Sequence, residues 1–183
     1  MFDPLGTKKQ DNIAAYIISM WHIEDLMRAN GFDVASVEAL LIDPLELDEE
    51  TLDQVREWYV GLIESMKEQG IEESGHLAEV EEVINELEYL HRSLREVFNE
   101  EEYDKLYAAA ESGIKVLQQQ AGENADGPIE TCFTAIYGVM VLRAQEKEIS
   151  ESTAEAEGHM RRLLERLSQH YRQMRKLPGV SMN

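Results

Sequence analysis

Glu24 and Arg28 stand four residues apart in the most apolar stretch of the chain. At about 100° per residue, Ile13, Tyr16, Ile17, Met20, Ile23 and Met27 share one side of a helix, and both charged residues fall within it. A charge on a core face is costly unless it is paired and hydrogen-bonded. His91 breaks a second apolar face, shared with Ile84, Leu87, Leu94 and Phe98, and Arg143 a third, shared with Cys132, Ile136, Val139 and Met140. If these three helices are neighbours, Glu24, Arg28, His91 and Arg143 form one buried polar cluster. As an ion-pair network the cluster fixes helix register, and replacing Glu24 and Arg28 together by apolar residues preserves the fold. As a pocket it binds a small anionic or polar ligand, with Arg28 and Arg143 as guanidinium clamps. Arg143 has a third option, since a side chain near a helix end reaches water along its apolar stem.

Metal chemistry has one candidate. Glu88-Tyr-Leu-His91 is a Glu-x-x-His step, the spacing by which di-iron bundles place two ligands on one helix face. Such bundles need a second step and two further glutamates. The residues three before His22, His159 and His170 are Ser19, Ala156 and Leu167, and Glu73-Ser-Gly-His76 straddles a helix start. Glu88 and His91 are thus half of a motif, and no cofactor is expected. Nucleophilic catalysis has no support: Cys132 is the single cysteine, no histidine shares its local register, and no Gly-x-Ser-x-Gly occurs. A phosphate-cradling glycine loop is absent too. No catalytic residue is assigned, and the chain reads as a non-enzyme before it reads as an enzyme.

The elements that must position these residues are helices, for apolar residues recur at helical rather than alternating spacing. A first helix runs from about Asp11 to Asn30 and stops at Gly31. A short one from Asp33 to Ile42 is ended by Pro44. A third starts near Asp48, with Glu49 and Glu50 in its first turn, where the helix dipole favours acids. It turns Leu52, Val55, Tyr59, Leu62, Ile63 and Met66 inward and closes at Gly70. A fourth, from about Ser74 to Phe98, points Leu77, Val80, Ile84, Leu87, Leu94 and Phe98 inward. Asn99 then caps a fifth that ends at Gly122, with Glu102 completing a capping box. Pro128 opens a sixth, reaching Lys147, apolar almost all round and so expected at the centre of the bundle. Ser152 and Glu155 form a capping box for a seventh that runs to about Leu177. The expectation is an all-α, single-domain, up-and-down bundle of six to seven helices over residues 1–183, with flexible ends at 1–10 and 178–183.

Composition narrows the function classes. Seventeen basic against 37 acidic residues give a net charge of −20. His159 to Pro178 holds six basic residues against Glu165, a net +5, so the rest carries −25. That body repels nucleic acid and anionic lipid. The basic last helix is expected to pack on acids of its own chain or of a second copy. No basic segment followed by an apolar core opens the chain, and no run approaches the ~18 apolar residues of a membrane helix. A cytoplasmic location follows.

The stretch Asn12-Ile-Ala-Ala-Tyr16, followed by Met20-Trp-His-Ile-Glu-Asp-Leu-Met-Arg-Ala29, resembles a family of uncharacterised bacterial proteins of about this length. Asn85-Glu-Leu-Glu-Tyr-Leu-His91, Cys132-Phe133 with Tyr137-Gly138, and Glu148-Ile-Ser150 are similar to it as well. The family is a domain of unknown function. The resemblance implies a stand-alone helical protein and carries no activity, cofactor or site residue. The leading expectation is a non-enzymatic cytoplasmic protein that acts through protein contacts, as a homodimer or with another protein partner. Its alternative is a small-molecule binder or enzyme with a buried polar pocket.

Overall fold

Apolar residues at helical spacing, punctuated by caps and glycines, become eight α-helices in the computed structural model, which describes residues 3–176. They are α1 (Gly6–Asp11), α2 (Ile13–Ala29), α3 (Val34–Val37), α4 (Glu49–Glu68), α5 (Ala78–Glu96), α6 (Glu101–Ala121), α7 (Pro128–Ala144) and α8 (Glu151–Arg175). A π-helical turn, Glu38–Ile42, continues α3, and a 3-10 turn, Gly122–Asn124, follows α6. The described residues contain no strand. The fold is all-α. The short α1 is additional to the helices expected, and Leu177 to Asn183 lie outside the described residues.

Helix starts follow capping chemistry, though not always at the expected residue. Asp48 caps α4, its Oδ1 accepting from Thr51 N at 2.9 Å. Asp33 caps α3 in the same way through Ser36 N. The cap of α6 is Glu100, whose carboxylate accepts from Tyr103 N, and not Asn99. Asn99 instead turns the chain with a φ of +48°. At α8 the cap is Ser150, accepting from Thr153 N at 3.2 Å, rather than Ser152 with Glu155. Because α5 ends at Glu96, Phe98 falls outside it and is 68% exposed, which corrects the inward placement.

The described residues form two compact units, one of 3–10 and 15–82 and one of 11–14 and 83–176. In the first, α2 buries Tyr16, Ile17, Met20, Trp21 and Met27, and α4 buries Val55, Leu62, Ile63 and Met66. In the second, α6, α7 and α8 pack pairwise. Gly113 sets the α6–α8 distance, since a Cβ there would lie 2.9 Å from Met160 Cε and 3.2 Å from Ala156 Cβ. Helix α7 buries Ile129, Thr131, Cys132, Phe133, Ile136 and Val139. Its other side is not covered within its unit: Thr134, Gly138 and Leu142 are exposed, so α7 is apolar all round without being enclosed.

The basic α8 uses its cations on acids of its own unit. Arg166 Nη2 lies 2.9 Å from Glu100 and 2.8 Å from Glu102, Arg161 grips Glu157, and Arg172 reaches Asp11 at 3.7 Å. No helix among the described residues is long and apolar enough to cross a membrane.

Candidate functional site

Glu24 is fully buried on α2, as the helical wheel requires. Its partner is not Arg28. His76 Nδ1 donates to Glu24 Oε2 at 2.6 Å, and Leu77 N donates to Oε1 at 3.1 Å. The imidazole lies flat on Trp21, with ring centroids 4.2 Å apart and 7° between planes. Arg28, one turn along α2, takes the same stretch of chain by its main chain: Nε and Nη2 donate to Ile71 O at 3.3 and 3.2 Å, and Nη2 also to Gly75 O. Its Nη1 donates to Asp25 at 2.9 Å. The two side chains therefore clasp the 71–77 segment that leads into α5. Apart from the His76 imidazole the clasp works through main-chain groups, which a wheel of α2 could not reveal.

A carboxylate that orients an imidazole is the base half of many hydrolytic sites. Here no hydroxyl or thiol is hydrogen-bonded to His76 among the described residues. The geometry is that of a fixed turn. Replacing Glu24 and Arg28 together by apolar residues would strand His76 and the two carbonyls, so the swap expected to preserve the fold does not fit this arrangement.

His91 and Glu88 sit on α5 in the second unit and face different partners. His91 is 2% exposed, with Nδ1 2.7 Å from Tyr103 Oη, and its ring meets Tyr107 at 4.9 Å. Burial, with the Arg95 and Arg92 charges, lowers its pKa from 6.5 to about 4, so the imidazole is neutral near neutral pH. Glu88 serves α7. Gly127, the residue before that helix, has no side chain to cap it, and Glu88 Oε1 accepts from Ile129 N at 2.7 Å and Glu130 N at 3.1 Å. A Cβ on Gly127 would collide with the Glu88 carboxylate. Burial raises the Glu88 pKa, and the two main-chain donors pull against it. Among the described residues, no three His, Cys, Asp or Glu side chains converge as a metal site would need.

Arg143 lies at the end of α7 with its side chain 51% exposed, and Nη2 donates to Glu157 Oε2 at 3.4 Å. Glu157 was not singled out from sequence. Its side chain is 6% exposed and also accepts from Arg161, one turn along α8. The four sequence candidates thus enter separate sets of bonds: Glu24 and Arg28 with the 71–77 segment, His91 with Tyr103, and Arg143 with Glu157. His76 and Glu157 supply the partners that sequence reasoning missed. The single signal for Glu157 was an acid among the apolar positions of α8, between Ala156 and Met160; His76 gave none, since it precedes α5.

A family model described as a domain of unknown function (DUF4924) matches residues 6–177. No curated protein and no solved structure matches.

Proposed function

We propose that this chain, which belongs to the DUF4924 family of unknown function, is a non-enzymatic cytoplasmic protein that works by binding a second copy of itself. One observation carries the reading. The outer face of α5 and the turn after it leave Tyr89 65%, Val97 69% and Phe98 68% exposed. Large apolar side chains grouped in this way mark interaction sites. The same face carries Arg92 and Glu96, both exposed. A two-fold axis through it sets a second α5 antiparallel, so that Arg92 of each copy meets Tyr89 of the other in a cation–π contact.

Other features support the reading more broadly. The buried polar groups at Glu24, His91 and Glu157, and the half-buried Glu88, are occupied by partners of their own chain. That leaves less support for the alternative, a pocket built from Glu24, Arg28, His91 and Arg143. The net charge of −20 disfavours nucleic acid as a partner. A lone, buried, unpaired Cys132 suits a reducing compartment.

Sedimentation equilibrium tests the proposal. The wild type is expected to be dimeric at micromolar concentration, and Tyr89→Asp with Phe98→Asp to be monomeric. Both positions are exposed, so each change costs folding no more than about 0.5 kcal/mol. A wild-type chain that stays monomeric at high micromolar concentration overturns the reading.

A further inference from the structure

The first unit carries a groove of about 830 Å³ along α4. Its α4 lining runs from Gln54 to Gln69, and Leu77 and Glu79 form the facing wall. That wall is fixed twice. Glu24 Oε1 accepts from Leu77 N at 3.1 Å, and Gln69 Oε1 accepts from Ala78 N at 2.9 Å. The clasp on the 71–77 segment therefore also holds the groove open at a set width. Gly61 lies in the α4 lining. A glycine inside a helix costs about 1 kcal/mol against alanine, yet a Cβ at Gly61 would meet no heavy atom within 4 Å. Gly113 makes room for Met160, whereas no side chain of the fold requires Gly61. The space above it belongs to the groove.

The charges on the groove are of one sign. Glu57, Glu64 and Glu68 line it and are exposed, and among the described residues no ion pair or side-chain hydrogen bond engages them. No lysine or arginine lines it. The two cations of α4 are engaged elsewhere, Arg56 with Glu38 and Asp53, and Lys67 over the Phe32 ring. The C-terminal end of α4 adds its own negative partial charge beside Glu68. Trp58, half-buried, lines the same groove with Leu62 and Leu77, and indole is the best of the aromatic rings for holding a cation. Along the helix axis the three carboxylates are separated by about 10 and 6 Å, at 1.5 Å per residue. They are too far apart to converge on one metal ion. Spaced carboxylates beside an apolar, aromatic wall match positive charges spaced along a hydrocarbon chain.

We propose that the α4 groove binds a linear aliphatic polyamine. Its ammonium groups meet Glu57, Glu64 and Glu68, and its alkyl links lie over Gly61 and against Trp58, Leu62 and Leu77. The groove belongs to the first unit and the α5 face with Tyr89 to the second, so the two proposals stand or fall independently.

Titration calorimetry at physiological ionic strength with a diamine, a triamine and a tetraamine (putrescine, spermidine and spermine) tests the proposal. Spermine is expected to bind about tenfold more tightly than putrescine, since each added ammonium gains one exposed ion pair. Trp58→Leu is expected to weaken spermine about fourfold by removing the ring. Glu64→Gln is expected to weaken it about threefold, and Glu148→Gln, which removes the same charge from an exposed site outside the groove, to leave it unchanged. Gly61→Leu is expected to abolish binding. The open space at Gly61 and the better helix propensity of leucine let this variant fold while its side chain fills the groove, and circular dichroism checks that it does. The proposal is overturned if spermine does not bind, or if Gly61→Leu or Trp58→Leu binds it as the wild type does. Equal losses in Glu64→Gln and Glu148→Gln also overturn it, because the attraction would then be to the net charge of −20 at large. Tighter binding of tetralysine than of spermine overturns it in favour of a basic peptide.

Discussion

Removing the His76 imidazole would leave the Glu24 carboxylate, which has no exposed surface, with a single main-chain donor. Stranding a buried charge costs about 3–5 kcal/mol, so His76→Ala is expected to lower the urea-unfolding free energy by that order. Glu24→Leu combined with His76→Leu should recover part of the loss, with Leu77 N left unpaired. If the single and double changes simply add, the clasp is not a coupled unit. His91 makes a prediction in pH. Its folded pKa, about 4, lies below the unfolded 6.5, so the unfolded chain takes up a proton first. This contribution to stability is full above 6.5 and falls as pH drops toward 4, by up to about 3 kcal/mol. In His91→Gln that part of the pH slope should vanish; an unchanged slope would assign the effect to carboxylates. At this scale the sequence disclosed burial better than partnership. Glu24 was legible as a buried charge because α2 supplies its own wheel. Its partner sits in a turn, where no periodicity reports which way a side chain points.

Helix α7 depends on a cap borrowed from α5. Glu88→Ala is expected to cost about 1 kcal/mol, the usual worth of an N-cap. Gly127→Ala should cost a similar amount by pushing the carboxylate away. Because both act on one interaction, the double variant should cost little more than the worse single one, read as a double-mutant cycle from chemical denaturation. Strict additivity would show that Gly127 matters only for its backbone. The helices other than the short α1, which buries no side chain, were legible from apolar spacing; their ends were less so. Ser150 and Ser152, or Asn99 and Glu100, offer the same capping chemistry a residue or two apart. Local sequence cannot rank such neighbours, because the choice depends on where the preceding turn delivers the chain. Phe98 shows the consequence, since two residues beyond Glu96 its apolar phase no longer belongs to α5.

At the scale of the molecule, an acidic chain with one basic helix has resolved much of that asymmetry internally, through Arg166, Arg161 and Arg172. The second unit carries its own reporter of opening. Burial, and secondarily the Glu88 charge, pushes the Cys132 thiol far above its ordinary range. A disulfide reagent is therefore expected to label Cys132 only as fast as this unit opens, with labelling accelerated by urea. Rapid labelling in native buffer would contradict that burial. The clasp on the 71–77 segment has a consequence of another kind. Arg28 grips the carbonyls of Ile71 and Gly75, and Glu24 grips His76 and the Leu77 amide, while Glu72, Glu73 and Ser74 between them stay exposed. Those three positions are spelling that the fold does not read. An epitope or a fluorophore-binding peptide spliced there, with Gly75 and its φ of +96° retained, would give this protein a handle at a site already fastened on both sides.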